Sequence, residues 1–321
     1  MLAGPADSRA RLSPLISAHR NFRPVREVDS SAFCDSDFGS SLGSHLNDAA
    51  GVLIVGDARK SPRSALPGIF LRDQNGRRVA AGWLPDIAER LETFAIAAAE
   101  VQLRRTPQRR SPEANLGPVI LLGESESRAL ELADRLADSL IDKIPVFQWT
   151  AERIRRADLI AALRGGAGAA FYVGRGTPAG WFAYGGFDIS DANLACGRPI
   201  GAVLSLTCSV ACRSEKALSF NEEMVLSGLC AAALGATGLT LHHRNVTLAL
   251  AAAQALCCNS PTLADILLDP AIPPLSLSHY RIIGDPLAPL IGDAQSLEKA
   301  RRVFAPAPDE VLPVIPLSSW A

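Results

Sequence analysis

Short apolar runs, each too short for a buried helix, recur along this chain and alternate with stretches of helical period. Pro118 to Gly123 reads PVILLG, Ala169 to Gly174 reads AAFYVG, and Ala202 to Thr207 reads AVLSLT. Four to eight continuous apolar residues bounded by Gly, Pro or polar groups fit a strand buried on both faces. Gly51 to Asp57, Val146 to Trp149, Ala236 to Leu241 and Tyr280 to Ile283 read the same way. Between them, Ile87 to Leu103 aligns Ile87, Leu91, Phe94, Ala98 and Val101 on one helical face, and Ser125 to Ile141 aligns Leu130, Ala133, Leu136, Ala137 and Leu140. Ala151 to Leu163, Ser219 to Leu234, Thr247 to Cys257 and Thr262 to Leu268 also read as helical. Ser219 and Glu222 have capping-box spacing, with Gly235 as the stop. Strands alternating with helices predict an α/β chain, a mostly parallel sheet with helices on both faces.

Three segments are expected. Residues 1–48, rich in Ser, Asp, Arg and Pro, read as a partly ordered leader. Residues 49–112 read as a smaller α/β unit, in which Asp73-Gln74-Asn75-Gly76 turns a β-hairpin between Ile69–Arg72 and Arg77–Ala80. The proline-broken basic stretch Arg104 to Pro112 ends that unit, and residues 113–321 form the main domain.

Composition narrows the partners. A net charge of −1 gives no global reason to bind nucleic acid or an anionic membrane. The 17-residue uncharged run Val225 to Leu241 carries three glycines and is too short for a convincing membrane span. Met1 to Arg11 lacks the apolar core of a signal peptide. The seven cysteines are odd in number and include no CxxC pair, which argues for a reducing compartment. A soluble cytoplasmic protein is the expectation. P-loop, dinucleotide and HExxH patterns are absent from the sequence, and no cofactor or metal is expected. The oligomeric state is left open.

In open α/β sheets, ligands bind beyond the carboxyl ends of the strands. Three such ends stand out: Gly174-Arg175-Gly176, Cys208, and His242-His243. Cys208 leaves a strand and enters a turn, where free backbone N–H groups can support a thiolate. A cysteine there also serves simply as a small hydrophobe. Cys212 is a weaker candidate. Of the five histidines, His19 and His45 fall in the leader and His279 precedes the last strand. His242 and His243 remain as bases for Cys208, or as a surface pair beside Arg244. Arg175 cannot accept a proton near neutral pH, but it can bind a carboxylate. Its flanking glycines permit close backbone approach, and the Gly176 N–H is a candidate oxyanion donor. Asp57, Glu124 and Asp285 end other strands and could orient a base or simply terminate the strand.

Taken in order, GAAFYVGRG, Trp181, AVLSLTC, NEEMVLSGLCAAALGATG and YRIIGDPLAPL resemble the caspase-like cysteine peptidases of the gingipain and CHAT type. The resemblance covers Gly168 to Leu290 and implies a caspase-like α/β/α sandwich. It implies Cys208 as nucleophile, Gly176 in the oxyanion loop, and Gly174, Arg175 and Trp181 at the binding edge. The family's histidine falls on Arg175, 33 residues before Cys208. The expected function is a degenerate peptidase that binds a peptide or protein partner without efficient cleavage. The alternative is an active endopeptidase using Cys208 with His243 or His242. A small-molecule enzyme on a doubly wound sheet is a third reading, less favoured because no phosphate-binding glycine motif is present.

Overall fold

The computed structural model describes residues 1–30, 42–56, 68–104, 118–213, 217–258, 262–290 and 294–302. The basic stretch after Arg104, Asp57 and Cys34 lie outside the described residues. The strands are β1 (Leu2–Gly4), β2 (Glu27–Asp29), β3 (Gly51–Gly56), β4 (Phe70–Arg72), β5 (Arg78–Pro85), β6 (Val119–Gly123), β7 (Val146–Thr150) and β8 (Ala167–Val173). The short β9 (Gly176–Thr177), β10 (Gly180–Trp181) and β11 (Phe187–Asp188) follow, then β12 (Ile200–Leu206), β13 (Cys230–Ala236) and β14 (Tyr280–Gly284). The helices are α1 (Ala6–Arg11), α2 (Ser13–Arg20), α3 (Ala88–Leu103), α4 (Ser127–Leu140), α5 (Arg156–Leu163), α6 (Ile189–Leu194), α7 (Phe220–Leu226), α8 (His242–Cys257), α9 (Leu263–Leu268) and α10 (Ala294–Arg302).

An eleven-stranded sheet runs in the order β2-β1-β3-β5-β14-β13-β12-β8-β6-β7, with β4 paired to the β5 hairpin partner. It is mostly parallel, as the strand–helix alternation predicts. The direction reverses once inside the path, where β13 and β14 pair antiparallel. The five strands β13, β12, β8, β6 and β7 are mutually parallel, so their carboxyl ends share one edge. Helices α4, α8 and α9 pack together in one layer, and α3, α7, α6 and α5 in the other. β8, β12 and β13 are buried along their whole length, as strands covered on both faces must be.

Three expectations are corrected. The helix expected over Ser219–Leu234 stops at Leu226. Gly228 adopts φ +82°, and its N–H and that of Leu229 return to Val225 and Met224, a glycine-terminated helix end. The chain is therefore free to form β13 from Cys230, and the strand expected over Ala236–Leu241 is instead the loop leaving β13. The helix expected from Thr247 begins five residues earlier, at His242. The segment before residue 30 contributes β1, β2, α1 and α2, with β1 extending the main sheet beside β3.

Candidate functional site

The register of β8 against β12 sets Tyr172 opposite Ser205 and Val173 opposite Leu206. The next residues of each strand are Gly174-Arg175-Gly176 and Thr207-Cys208, so the two loops leave the sheet side by side. They also touch. A Cβ placed on Gly176 would lie 2.8 Å from both Thr207 Cγ2 and Val210 Cγ1. Only a residue without a side chain lets the loops close to this distance.

The Arg175 loop is fixed from several sides. Gly174 has φ +151°, and a Cβ there would meet Glu124 Cγ at 2.8 Å and the Tyr172 hydroxyl at 2.9 Å. The Arg175 carbonyl accepts from Tyr172 Oη at 2.8 Å and from the Phe182 N–H at 3.1 Å. The bond from Phe182 N–H to Arg175 O makes Gly176–Trp181 a non-hydrogen-bonded pair of the β9–β10 ladder. The Gly176 N–H therefore faces away from β10, as an oxyanion donor must.

Trp181 lies beneath this loop rather than on its surface. It is buried, its indole N–H donates to Ser205 Oγ at 3.2 Å, and its ring stacks on Tyr172 with centroids 4.4 Å apart. Phe187 and Phe220 complete the cluster at 5.2 Å each. Trp181 can support the edge but does not line it.

Position 175 engages Glu124, which follows β6. Arg175 Nε lies 3.0 Å from Glu124 Oε2, and the Arg175 backbone N–H donates to Oε1 at 3.1 Å. Glu124 is buried, whereas the Arg175 side chain is 73% exposed with its guanidinium 5.6 Å from the centre of the Phe182 ring. Hydrogen bonding to Glu124 pushes the guanidinium further up from its ordinary value, so it stays charged throughout the working pH range.

The Cys208 sulfur has a different neighbour. It accepts from the Thr240 N–H at 3.4 Å, lies 3.5 Å from Thr240 Oγ1, and is 3.8 Å from the Thr240 carbonyl. Thr240 sits in the loop between β13 and α8. Asn245, in the first turn of α8, holds that loop by donating to Thr240 Oγ1 at 2.9 Å and to Leu206 O at 3.2 Å. Tyr280 Oη donates to Asn245 Oδ1 at 2.9 Å. Ser209 takes φ +59°, turning the chain sharply after Cys208, and its N–H is spent on Gly238 O at 3.0 Å.

His242 and His243 do not end a strand. They open α8, both are exposed, and the His243 carbonyl accepts from the Thr247 hydroxyl. No imidazole is among the hydrogen-bond partners of the Cys208 sulfur in the described residues. Asp285 is on the opposite edge. It follows β14, its N–H donates to Ala231 O near the start of β13, and its carboxylate meets His19 Nε2 at 2.9 Å. Cys212 lies past the turn, where its sulfur contacts Arg213 O at 3.9 Å. Arg213 forms a buried pair with Glu222, at 2.6 Å.

Glu124 was readable only as one of several strand-ending acids, and Thr240, Asn245 and Tyr184 carried no signal. Tyr184, at φ +63°, accepts from the Gly123 N–H at 3.1 Å and donates to Trp149 O. It thereby builds the floor of a cavity of about 720 Å³ beside Arg175, over the ends of β6 and β7. Among the described residues no cluster of His, Cys, Asp and Glu has the makings of a metal site, and no helix is long and apolar enough to cross a membrane.

Neither a family model nor a curated protein sequence matches this chain. Solved structures do. The Arg-specific cysteine proteinase gingipain R (RgpB) superposes with a TM-score of 0.67 at 14% identity, over 90% of this chain and 77% of that one. The complex of the pro- and mature domains of RgpB from Porphyromonas gingivalis gives 0.67 at 14%, over 91% and 80%. A third structure, described only as a protease, gives 0.65 at 11%, over 90% and 77%. At such identity the likeness is one of fold, and it covers both halves of the continuous sheet. The chain has the caspase-like α/β/α fold that gingipain displays.

Proposed function

We propose that this protein is a degenerate cysteine peptidase homologue that holds a polypeptide segment across the edge between Arg175 and Cys208 without cutting it efficiently. One observation carries the reading. The position that the resemblance assigns to a base beside the thiol holds a permanently charged guanidinium, locked on Glu124, while among the described residues the hydrogen-bond partners of the sulfur all belong to Thr240. Without a proton acceptor, both thiol activation and leaving-group protonation lose their agent. The edge itself remains built: a fixed loop, a Gly176 N–H turned away from β10 and an adjoining cavity. Six free cysteines among the described residues support a reducing compartment, and we propose a cytoplasmic location.

The test uses the purified full chain and a diverse peptide mixture. Retained peptides should be recovered intact after hours of incubation. Cleavage by the parent protein that vanishes in Cys208→Ala overturns the reading in favour of an active endopeptidase.

A further inference from the structure

We infer that the cavity beside Arg175 seats a carboxylate of the bound polypeptide, an inference that rests on the proposal that this edge holds a polypeptide at all. The guanidinium is offered in one orientation. Its Nε is taken by Glu124 and its face lies over Phe182, so the Nη edge is left facing outward, without a hydrogen bond or ion pair among the described residues. A fork held in this way recognises a carboxylate through two parallel N–H···O bonds and loses little freedom on binding. The exposure of the Arg175 side chain shows that these donors are reachable.

The other charges of the cavity wall sharpen the choice. Arg156 is committed to Asp191 at 2.7 Å, and Arg153 reaches Asp134 at 3.9 Å. Arg155 is exposed and has no ion pair among the described residues, so it is an uncommitted cation on the same wall, whereas Arg175 shares its charge with Glu124 and offers only its Nη edge. Glu126 and Glu152 also line the cavity and are exposed. Their charges disfavour a run of acids, which limits the seat to a single carboxylate against Arg175. They also leave a basic side chain as the competing occupant. Exposed acids on mobile stems hold a cation weakly, whereas the Arg175 fork is fixed from two sides. At about 720 Å³ the cavity is roomy enough for an acidic side chain together with its flanking residues.

A carboxylate on a polypeptide comes from Asp or Glu, or from the chain end. The experiment separates these sources. Fluorescein-labelled heptapeptides with randomised flanks carry Asp, Glu, Asn, Gln or Lys at the centre, each as the C-terminal amide and as the free acid. Binding to the full chain is read by anisotropy. Central Asp or Glu, or the free-acid series, should bind at least tenfold more tightly than the uncharged amide peptides. That advantage should fall to about threefold or less in Arg175→Gln, and weaken partially in Arg155→Gln. Equal binding of the Asp amide, the Asn amide and the Asn free acid, or preference for Lys, overturns the inference while leaving a peptide binder. If no peptide of any composition binds, the proposed function fails, and this inference fails with it.

Discussion

The Glu124 carboxylate receives two groups from residue 175: the backbone N–H at 3.1 Å and the side-chain Nε at 3.0 Å. The geometry expected of an acid that orients a catalytic base is therefore present, with an arginine at the position where the resemblance to gingipain-type peptidases implies the base. Arg175→His should place a titratable ring between Glu124 and the Cys208 loop. A positioned general base is worth about 10²- to 10⁴-fold in rate. Arg175→His is expected to cleave peptides that the parent protein leaves intact, and Cys208→Ala in that background should abolish the gain. Mass spectrometry of a peptide mixture reads both outcomes. A variant that folds but stays inert shows that more than the base has been lost.

Gly174 holds the same loop by a different constraint. At φ +151°, any side chain is strained, and a Cβ would press on Glu124 and the Tyr172 hydroxyl. Gly174→Ala should cost about 1–3 kcal/mol, the usual range for a non-glycine residue forced into a sparsely populated backbone region. Gly76, at φ +77° with nothing within 4 Å of an added Cβ, is the control. Gly76→Ala shares the backbone strain but not the clash, so it should shift the thermal midpoint less. Equal shifts would show that the packing around Gly174 yields.

Much of the fold was written in the sequence because buried strands leave a strong imprint. AAFYVG and AVLSLT pack on both faces, so nearly every residue must be apolar, and their ends fell within a residue or two of the observed ones. The Asn75-Gly76 turn was legible for a local reason too, since Gly76 takes the positive φ its type requires. MVLSGLCAAAL was misread because alanine-rich segments favour helix on propensity. What decides β13 is its place between two other strands, which local pattern does not encode. That misreading put the histidine pair at a strand end, whereas it opens α8. The reversal at β14 was likewise silent, since parallel and antiparallel buried strands look alike in composition. The bond between Glu124 and Arg175 spans 51 residues and exists only in the tertiary structure.

On the far edge of the sheet, acid stability should depend on Asp285. Burial pushes its carboxyl up, but His19, the Gln102 amide and the Leu287 N–H outweigh that effect and hold it below its ordinary value. The folded state therefore binds this proton less readily than the unfolded chain does. The stabilisation is fully present above the ordinary aspartate value, about 3.9, and is lost as pH falls through the lower folded value. Asp285→Asn should lose about 1–3 kcal/mol at pH 7, as Gln102, His19 and Leu287 lose a charged acceptor. Urea titrations across pH should show the gap between parent and variant narrowing below about pH 4. A gap independent of pH would assign the loss to packing.

Asn245 joins three segments around the thiol: its amide donates to Thr240 and Leu206, and its carbonyl accepts from Tyr280. Tyr280 and Asn245 are buried, so their polar groups have little access to replacement by solvent. Asn245→Ala is expected to destabilise the fold by about 1–3 kcal/mol through the groups left unsatisfied. It should also release the loop that carries Thr240, the residue that contacts the Cys208 sulfur. Alkylation of Cys208 by iodoacetamide should then accelerate several-fold under conditions where circular dichroism shows an intact fold. Cys258, exposed at the far end of α8, is an internal reference whose labelling should not change. If both cysteines accelerate together, Asn245 acts on global stability alone, and the thiol owes its shielding to the fold as a whole and not to this brace.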